Sequence, residues 1–152
     1  MKISSVKGFR DVLPDEAARR RRILAESVRV LESYGYAEIE LPILERVELF
    51  SRSVGQTSDI VEKEMYAFTD RDGALIALRP EGTASVVRAY IEAGLARSLP
   101  IARLFYAGAM FRRERPQKGR YRQFSQLGAE LLGRDDPEAD AETLSLVADI
   151  CR

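Results

Sequence analysis

The chain has 152 residues, 45% of them hydrophobic, which is the size of one ordinary domain and enough to bury a core, so disorder is not expected. Its 24 acidic and 24 basic residues balance, which argues against a generic polyanion binder and requires any nucleic-acid contact to be regional. Histidine is absent and Cys151 is the one cysteine, which excludes an internal disulfide framework, a cysteine zinc cluster and the commonest general base, leaving carboxylates, guanidinium groups and a hydrated cation to carry any chemistry. No apolar run approaches the roughly 20 residues that span a bilayer, and the first residues lack the apolar core of a signal peptide, so a cytoplasmic protein without a membrane segment is expected.

Along the chain the pattern is mixed helix and strand without repeats or linkers, read as one domain over 1–152. After a turn-rich stretch at 7–14, Asp15 and Glu16 favour a helix start, Ala17, Leu24, Val28 and Leu31 share one helical face, and Gly35 ends the helix. The run Arg19-Arg20-Arg21-Arg22 reads as a solvated outer face. Ile39, Leu41 and Ile43 alternate with Glu38, Glu40 and Pro42, predicting a strand with one buried side, and Pro42 places it at an edge or a break in the ladder. A short helix is expected over 47–54 and turn chemistry over 55–58. Paired strands are predicted at 65–69 and 74–79 around Asp70-Arg71-Asp72-Gly73, whose glycine can take positive φ. Pro80-Glu81-Gly82-Thr83 leads into a helix that runs to about residue 93, with Thr83 as a cap and Gly94 as a stop. At the C-terminal end, Asp136 caps and Pro137 opens a helix on which Leu144, Val147 and Cys151 repeat at helical spacing. That helix still runs where the sequence stops, which reads as a chain with a continuation.

The most informative stretch joins a strand at 104–111 to a second arm through a basic turn, Phe111-Arg112-Arg113-Glu114-Arg115-Pro116-Gln117-Lys118-Gly119-Arg120-Tyr121-Arg122. Six cations and one acid lie between Arg112 and Arg122, a local excess that suits an anion, and planar guanidinium forks suit phosphate oxygens. Strand side chains alternate faces, so Arg120, Arg122, Phe124, Gln126, Gly128 and Glu130 project to one side and Tyr121, Gln123, Ser125, Leu127, Ala129 and Leu131 to the other. Gly108, Met110, Arg112 and Glu114 share a face on the first arm. The even-numbered side gathers cations, a ring, an amide and a carboxylate over a floor that Gly128 leaves open, a surface for a nucleotide at one end and a small polar molecule at the other. Residue by residue, a plainer account also exists: Arg112 with Glu114 as an exposed ion pair, Phe124 as a core ring, Glu81 as an acid at a helix start.

Five stretches in order resemble the N-terminal catalytic portion of histidyl-tRNA synthetase, a class II aminoacyl-tRNA synthetase: Lys7-Gly8-Phe9-Arg10-Asp11-Val12-Leu13-Pro14, Leu41-Pro42-Ile43-Leu44-Glu45, Val61-Glu62-Lys63-Glu64-Met65-Tyr66, Leu78-Arg79-Pro80-Glu81-Gly82-Thr83-Ala84, and the segment 111–133. The resemblance implies an α+β fold with an antiparallel sheet flanked by helices, here incomplete. Residues around 28–45 look like the first motif of the class, which builds a dimer interface, and residues around 104–133 like the second, which binds ATP and the acceptor end of tRNA. The implied activity is ATP-dependent formation of histidyl-adenylate and transfer to tRNA, with magnesium accompanying ATP and a homodimer as the assembly; no protein metal site is expected. By the same resemblance Arg112 holds the α-phosphate near the amino-acid carboxylate, Glu114 and Arg120 attend the adenine and outer phosphates, and Phe124 stacks on the adenine. Glu81, Gly82, Thr83, Arg112, Gln126 and Glu130 contact the substrate histidine, Glu81 at its α-ammonium and Glu130 at an imidazole N–H. Lys118 and Arg122 position tRNA phosphates. Ser125 stands where the family often has histidine and Ala109 where proline is common; parity puts Ser125 off the ligand face. The third class II motif and an anticodon-binding domain are not found in the chain, so little aminoacylation is expected of it alone. The alternative is a paralogue of the family, the non-catalytic regulatory subunit of ATP phosphoribosyltransferase, and a weaker one is a nucleic-acid-binding module using the basic turn.

Overall fold

The computed structural model describes residues 3–53, 64–115, 117 and 119–152. The turn expected at 55–58, residues 61–63 of the third resembling stretch and the tRNA contact expected of Lys118 fall outside them.

The first helix, α1 (Pro14–Ser33), opens with proline at its first position, where a missing N–H costs nothing, and carries Asp15 and Glu16 in its first turn against the positive end of the dipole. It ends at Gly35, whose φ of 80° allows the N–H of Tyr36 to return to the Leu31 carbonyl at 3.0 Å. Two strands follow, β1 (Ala37–Glu38) and β2 (Leu44–Arg46), and they belong to different sheets. The single strand predicted from the alternation at 38–43 is therefore corrected to a crossing between sheets. Ile39 and Leu41 do pack against the core, but Ile43 is half exposed. Pro42 has no N–H to offer a ladder, and the carbonyls of Leu41 and Pro42 are taken by the Arg79 guanidinium at 2.7 and 3.3 Å.

After α2 (Val47–Ser53), strands β3 (Tyr66–Thr69) and β4 (Leu75–Leu78) form the predicted hairpin, Thr69 opposite Leu75, with Gly73 at φ 87°. With β2 they make one antiparallel sheet in the order β2-β4-β3. Helices α3 (Thr83–Glu92) and α4 (Leu95–Ser98) meet at Gly94 (φ 63°) and lead to the long strand β5 (Ala102–Phe111), which pairs antiparallel with β6 (Gln123–Leu132) in unbroken register from Ala102 opposite Leu132 to Phe111 opposite Gln123. The second sheet is β1-β5-β6, with β1 parallel to β5.

The β5–β6 ribbon separates two apolar clusters, as its alternation requires. Its odd-numbered side packs Phe105, Leu127 and Ala129 against Leu31 of α1 and Leu146 of the last helix, α5 (Pro137–Ile150). Its even-numbered side packs Leu104, Tyr106 and Met110 against Val86 of α3. Burying four large side chains of this kind contributes on the order of 6–12 kcal/mol before conformational entropy is set against it. Asp136 caps α5 as expected, its carboxylate accepting from Ala139 N–H at 3.0 Å. The inward face of α5 differs from the expected one: Ala139 and Leu146 are buried, whereas Leu144, Val147 and Cys151 face outward, Leu144 72% exposed. The rotation has a polar cause. Glu142 holds Arg103 of β5 through two bonds of 2.7 Å, and Asp149 accepts from the Tyr34 hydroxyl of α1 at 2.7 Å, so the face carrying 142, 146 and 149 turns inward.

Arg79 joins the two sheets. Its side chain, 6% exposed, donates to Leu41, Pro42 and Ala109 carbonyls, while its own backbone pairs with Ile43 on one sheet and Phe111 on the other. Burial lowers the pKa of this guanidinium, and its nearest compensation is carbonyl oxygen.

Candidate active site

The open end of the ribbon, beyond the paired strands, is shaped by backbone bonds that the sequence pattern did not contain. Arg112 N–H meets the Arg122 carbonyl at 2.9 Å, Arg122 N–H meets the Gly8 carbonyl at 2.8 Å, and Arg113 N–H meets the Glu64 carbonyl at 2.6 Å, so the ribbon's mouth is pinned by the first residues of the chain and by the stretch before β3. The tip is a turn at Gln117 and Arg120 with Gly119 at φ 84°. Arg122 spends its side chain on this scaffold, donating to the carbonyls of Glu114 (3.2 Å) and Lys7 (3.3 Å). These bonds engage Nε and Nη1, and the tRNA contact expected of Arg122 would fall to the other terminal nitrogen, Nη2.

Arg112 sits where α3's approach and the ribbon converge. Its Nε donates to the carbonyl of buried Pro80 at 2.9 Å, which fixes the plane of the guanidinium and leaves its terminal nitrogens free for an anion. Glu114 lies 3.9 Å from one of those nitrogens and 3.5 Å from Arg120, whose side chain is 69% exposed. These separations are loose ion pairs at a wet surface, worth little in stability and easily exchanged for a stronger anion. The guanidinium lies over the Phe124 ring, 5.1 Å from its centre, and the same ring packs on the Val86 and Met110 core. Phe124 is thus both a core ring and the floor beneath Arg112.

Six residues back along the ribbon from Arg112, on the same even face, a second polar group assembles around Tyr106. This residue is 2% exposed, and its ring lies between Gly82 and Gly128, where an added Cβ at either glycine would come within 2.3 Å of it. The floor expected to be open above Gly128 is therefore filled, and the glycine is required by the ring opposite it. Gln126 donates from Nε2 to the Tyr106 hydroxyl at 3.0 Å, and Thr83 donates to Glu130 Oε1 at 2.7 Å. Burial raises the pKa of Glu130, opposed by the bond from Thr83 and reinforced by nearby Glu81. Burial likewise raises the Tyr106 pKa.

Thr83, expected to cap α3, does not: its hydroxyl goes to Glu130, and the carboxylate of Glu81 accepts from Ala84 N–H at 3.2 and 3.3 Å in its place. Glu81, Gly82, Thr83, Gln126 and Glu130 are thereby brought together around Tyr106, while Arg112, Glu114, Arg120 and Phe124 form the neighbouring polar end of the same face. Ser125 lies on the other face, where its hydroxyl accepts from Arg20 at 3.5 Å, and Tyr121 there lies under Arg10 at 4.6 Å. A groove of about 1180 Å³ meets this site only at Glu81 and Thr83 and then runs along α3 past Leu49, Val87 and Ile91.

Two buried side chains that shape the site escaped the sequence. Tyr106 carries the same parity as Gly108 and stands directly across from Gly128, so extending the even-numbered face by one more residue pair would have found it. Arg79 gave no comparable signal, because nothing in Leu78-Arg79-Pro80 distinguishes a buried arginine from an exposed one.

Among the described residues no helix is long and apolar enough to cross a membrane. The family model for histidyl-tRNA synthetase matches residues 8–152. The histidine-tRNA ligase of Geobacter metallireducens is 57% identical over 145 residues, 95% of this chain and 35% of that protein. That of Halorhodospira halophila is 57% identical over 150 residues, 99% and 35% of the two chains. The solved structure of apo S. aureus histidyl-tRNA synthetase superposes with a TM-score of 0.82 at 38% identity, covering 98% of this chain and 34% of that one. An ATP phosphoribosyltransferase regulatory subunit/histidyl-tRNA synthetase from Bacillus halodurans C superposes equally well, TM-score 0.82, at 29% identity over 99% and 38%. The chain spans about a third of the length of these relatives. Its matched motifs, its α+β sheets and its unbroken β5–β6 ribbon place it in the histidyl-tRNA synthetase family.

Proposed function

We propose that this chain supplies the ATP and histidine pockets of a histidine-tRNA ligase of the relatives' full length. The observation that carries the reading is the linear arrangement on one ribbon face: a tethered guanidinium at one end, and a carboxylate, an amide and a threonine hydroxyl around a buried tyrosine at the other. In the first reaction a carboxylate oxygen of histidine bonds to the α-phosphorus of ATP, the bond to the bridging oxygen breaks, and pyrophosphate leaves with that electron pair. Negative charge grows on the α-phosphoryl oxygens as the new bond forms. Arg112, oriented by its Nε bond to Pro80, meets that charge with its terminal N–H groups and favours the transition state over the ground state. The same guanidinium lies over the Phe124 ring, on which the adenine is proposed to stack beside it. Glu114 and Arg120 offer an acceptor and a donor beside it.

At the other end Glu130 accepts from an imidazole N–H, and Glu81 and Gln126 attend the α-ammonium. Glu81 must then share its carboxylate between the helix and the ligand, which its two oxygens allow. Magnesium would accompany ATP, riding on the nucleotide's own phosphates. The acceptor end of tRNA and a second copy of the protein complete the partners proposed, and the proposed location is the cytoplasm.

The ligase reading is favoured over the regulatory one by the relatives named histidine-tRNA ligase at 57% identity, against 29% for the structure that carries the regulatory-subunit name. Histidine-dependent exchange of pyrophosphate into ATP, measured on a chain of the relatives' full length that carries this segment, tests it. Exchange that histidine stimulates is expected, and none above background would reject the enzyme.

A further inference from the structure

We propose that Arg122 is a positioning residue of the ATP pocket: clasped by the strap of residues 7–8, it holds the Glu114 backbone, so that the Glu114 carboxylate stands beside Arg112 before a nucleotide arrives. The residues ahead of the first helix thereby belong to the pocket. This deepens the ATP-site reading and rests on it.

The β5–β6 ladder ends at Phe111 opposite Gln123, so Glu114 lies where no strand partner holds the chain. Its carboxylate is no anchor either, because it stands 3.9 Å from Arg112 and 3.5 Å from Arg120, separations that fix little. What fixes it is backbone on both sides. Ahead of it, Arg113 N–H meets the Glu64 carbonyl at 2.6 Å, and its own carbonyl accepts from Arg122 Nε at 3.2 Å. Arg122 can hold that carbonyl because it is held in turn. Its N–H donates to the Gly8 carbonyl at 2.8 Å, its Nη1 to the Lys7 carbonyl at 3.3 Å, and its own carbonyl accepts from Arg112 N–H at 2.9 Å. One arginine thus ties the strap to both arms of the ribbon, and a planar fork with donors at Nε and Nη1 suits two separate carbonyls.

The strap is built for this contact. Gly8 takes φ 88°, and a Cβ there would come within 2.6 Å of Arg122 Cδ and 2.7 Å of its Cγ, so the strap backbone lies flat on the arginine stem. Its neighbours anchor it away from the ribbon tip. Phe9 N–H turns back to the Val6 carbonyl at 2.9 Å, the Phe9 ring meets Tyr66 of β3 edge-on at 5.9 Å, and Arg10 donates to Glu16 of α1 at 2.8 Å while lying over Tyr121. None of the three apolar clusters of the described residues contains a residue of 7–10 or 112–122, so the fold does not depend on the clasp. What the clasp determines is the pose of Glu114, an acceptor for a nucleobase N–H at a set distance from the Arg112 guanidinium. Holding that acceptor in place beforehand removes an ordering cost from nucleotide binding.

The test takes the ¹⁵N-labelled chain, with Gly8→Ala as the variant because its methyl displaces Arg122 without removing any side chain of the ribbon. The Arg122 Nε proton is identified by its loss in Arg122→Lys and compared with that of Arg120, whose side chain is 69% exposed. In the wild type it is expected to exchange about tenfold more slowly, in line with one internal hydrogen bond. Gly8→Ala is expected to abolish that slowing, to shift the Glu114 and Arg112 amides while leaving Gly128 and Glu130 in place, and to weaken ATP binding about five- to tenfold, the scale of one net hydrogen bond. Arg122→Lys, which keeps the charge but not the fork, is expected to weaken ATP equally. A slow Arg122 Nε proton in Gly8→Ala, or wild-type ATP affinity in either variant, would overturn the proposal. So would shifts at Gly128 and Glu130 as large as those at Glu114, the mark of a general structural role. Should Gly8→Ala lose its dispersed spectrum, Arg122→Lys decides by the same ATP and shift comparisons. A wild type that shows no ATP-dependent shifts is the failure of the ATP-site reading, and this proposal falls with it; a wild-type response shared by both variants is the failure of this proposal alone.

Discussion

Arg112 and Glu130 show how single side chains are prepared before any ligand arrives. The Arg112 Nε bond to Pro80 removes one rotational freedom from a long side chain and so lowers the entropy lost when phosphate binds. Glu130 is prepared at a cost: a carboxylate moved from water into a partly buried site is held less well as an anion, and its pKa rises above the ordinary 4.5. The sign of the stability effect follows. Above its folded-state pKa the ionised group destabilises the fold, and that penalty is relieved as pH falls through the raised value. Glu130→Gln is therefore expected to melt at a higher temperature than the wild type at pH 7.5, with the difference shrinking as pH approaches 4.5. Thermal melts followed by circular dichroism across that range check it; a variant less stable than the wild type at pH 7.5 would mean that the Thr83 bond outweighs burial. Gly128 is the complementary case, a missing side chain. A Cβ there would meet the Tyr106 ring at 2.3 Å, so Gly128→Ala is expected to destabilise by about 1–3 kcal/mol, the usual range for overpacking a filled core. Urea unfolding measures it, and a change below about 0.5 kcal/mol, the scale of an ordinary surface substitution, would show that the ring has room to move.

Among elements, local chemistry in the sequence reached most of the structure. Gly35, Gly73 and Gly94 stop or turn the chain where expected because each adopts positive φ, which other residues resist. The ribbon's two faces were legible because a period of two has no other solution once β5 and β6 pair in register. What remained hidden were contacts that couple distant segments. Pro42 announced a break in a strand but not that Arg79 would take the freed carbonyls, and the inward face of α5 followed Glu142 and Asp149 rather than the apolar stripe of Leu144 and Val147. The α5 cap carries its own pH dependence. Arg134 holds the Asp136 carboxylate down to about 2, with help from Ala139 N–H. A depressed acid stabilises above its ordinary 3.8 and loses that contribution as pH falls through the folded value, so α5 is expected to fray between about pH 4 and pH 2. Helical signal from Ala139 to Thr143, followed by amide exchange, should weaken over that window in the wild type and be weak throughout in Asp136→Ala. Equal protection in both would remove the cap from the account.

For the whole molecule, the central point is how two small sheets produce one site. Arg79 fastens the crossing at Leu41 and Pro42 to Ala109 on β5, and the next residue, Pro80, orients Arg112. The segment that resembles the class II dimer motif is therefore two residues and a few hydrogen bonds away from the guanidinium proposed to hold phosphate. The candidate site was legible in sequence to the extent that it lies on one ribbon face; its Glu81 to Thr83 edge came from the family resemblance, since no periodicity brings that turn to the ribbon. The groove along Leu49, Val87 and Ile91 is the competing location for a ligand on this chain. The most direct measurement is an ATP titration of the ¹⁵N-labelled chain, wild type beside Arg112→Ala. Saturable shifts centred on Arg112, Glu114 and Phe124, lost or weakened at least about tenfold in the variant, the effect of removing a charge-assisted bond worth about 1.5 kcal/mol or more, are predicted. Shifts confined to Leu49, Val87 and Ile91, or equal affinity in the two proteins, would contradict the account.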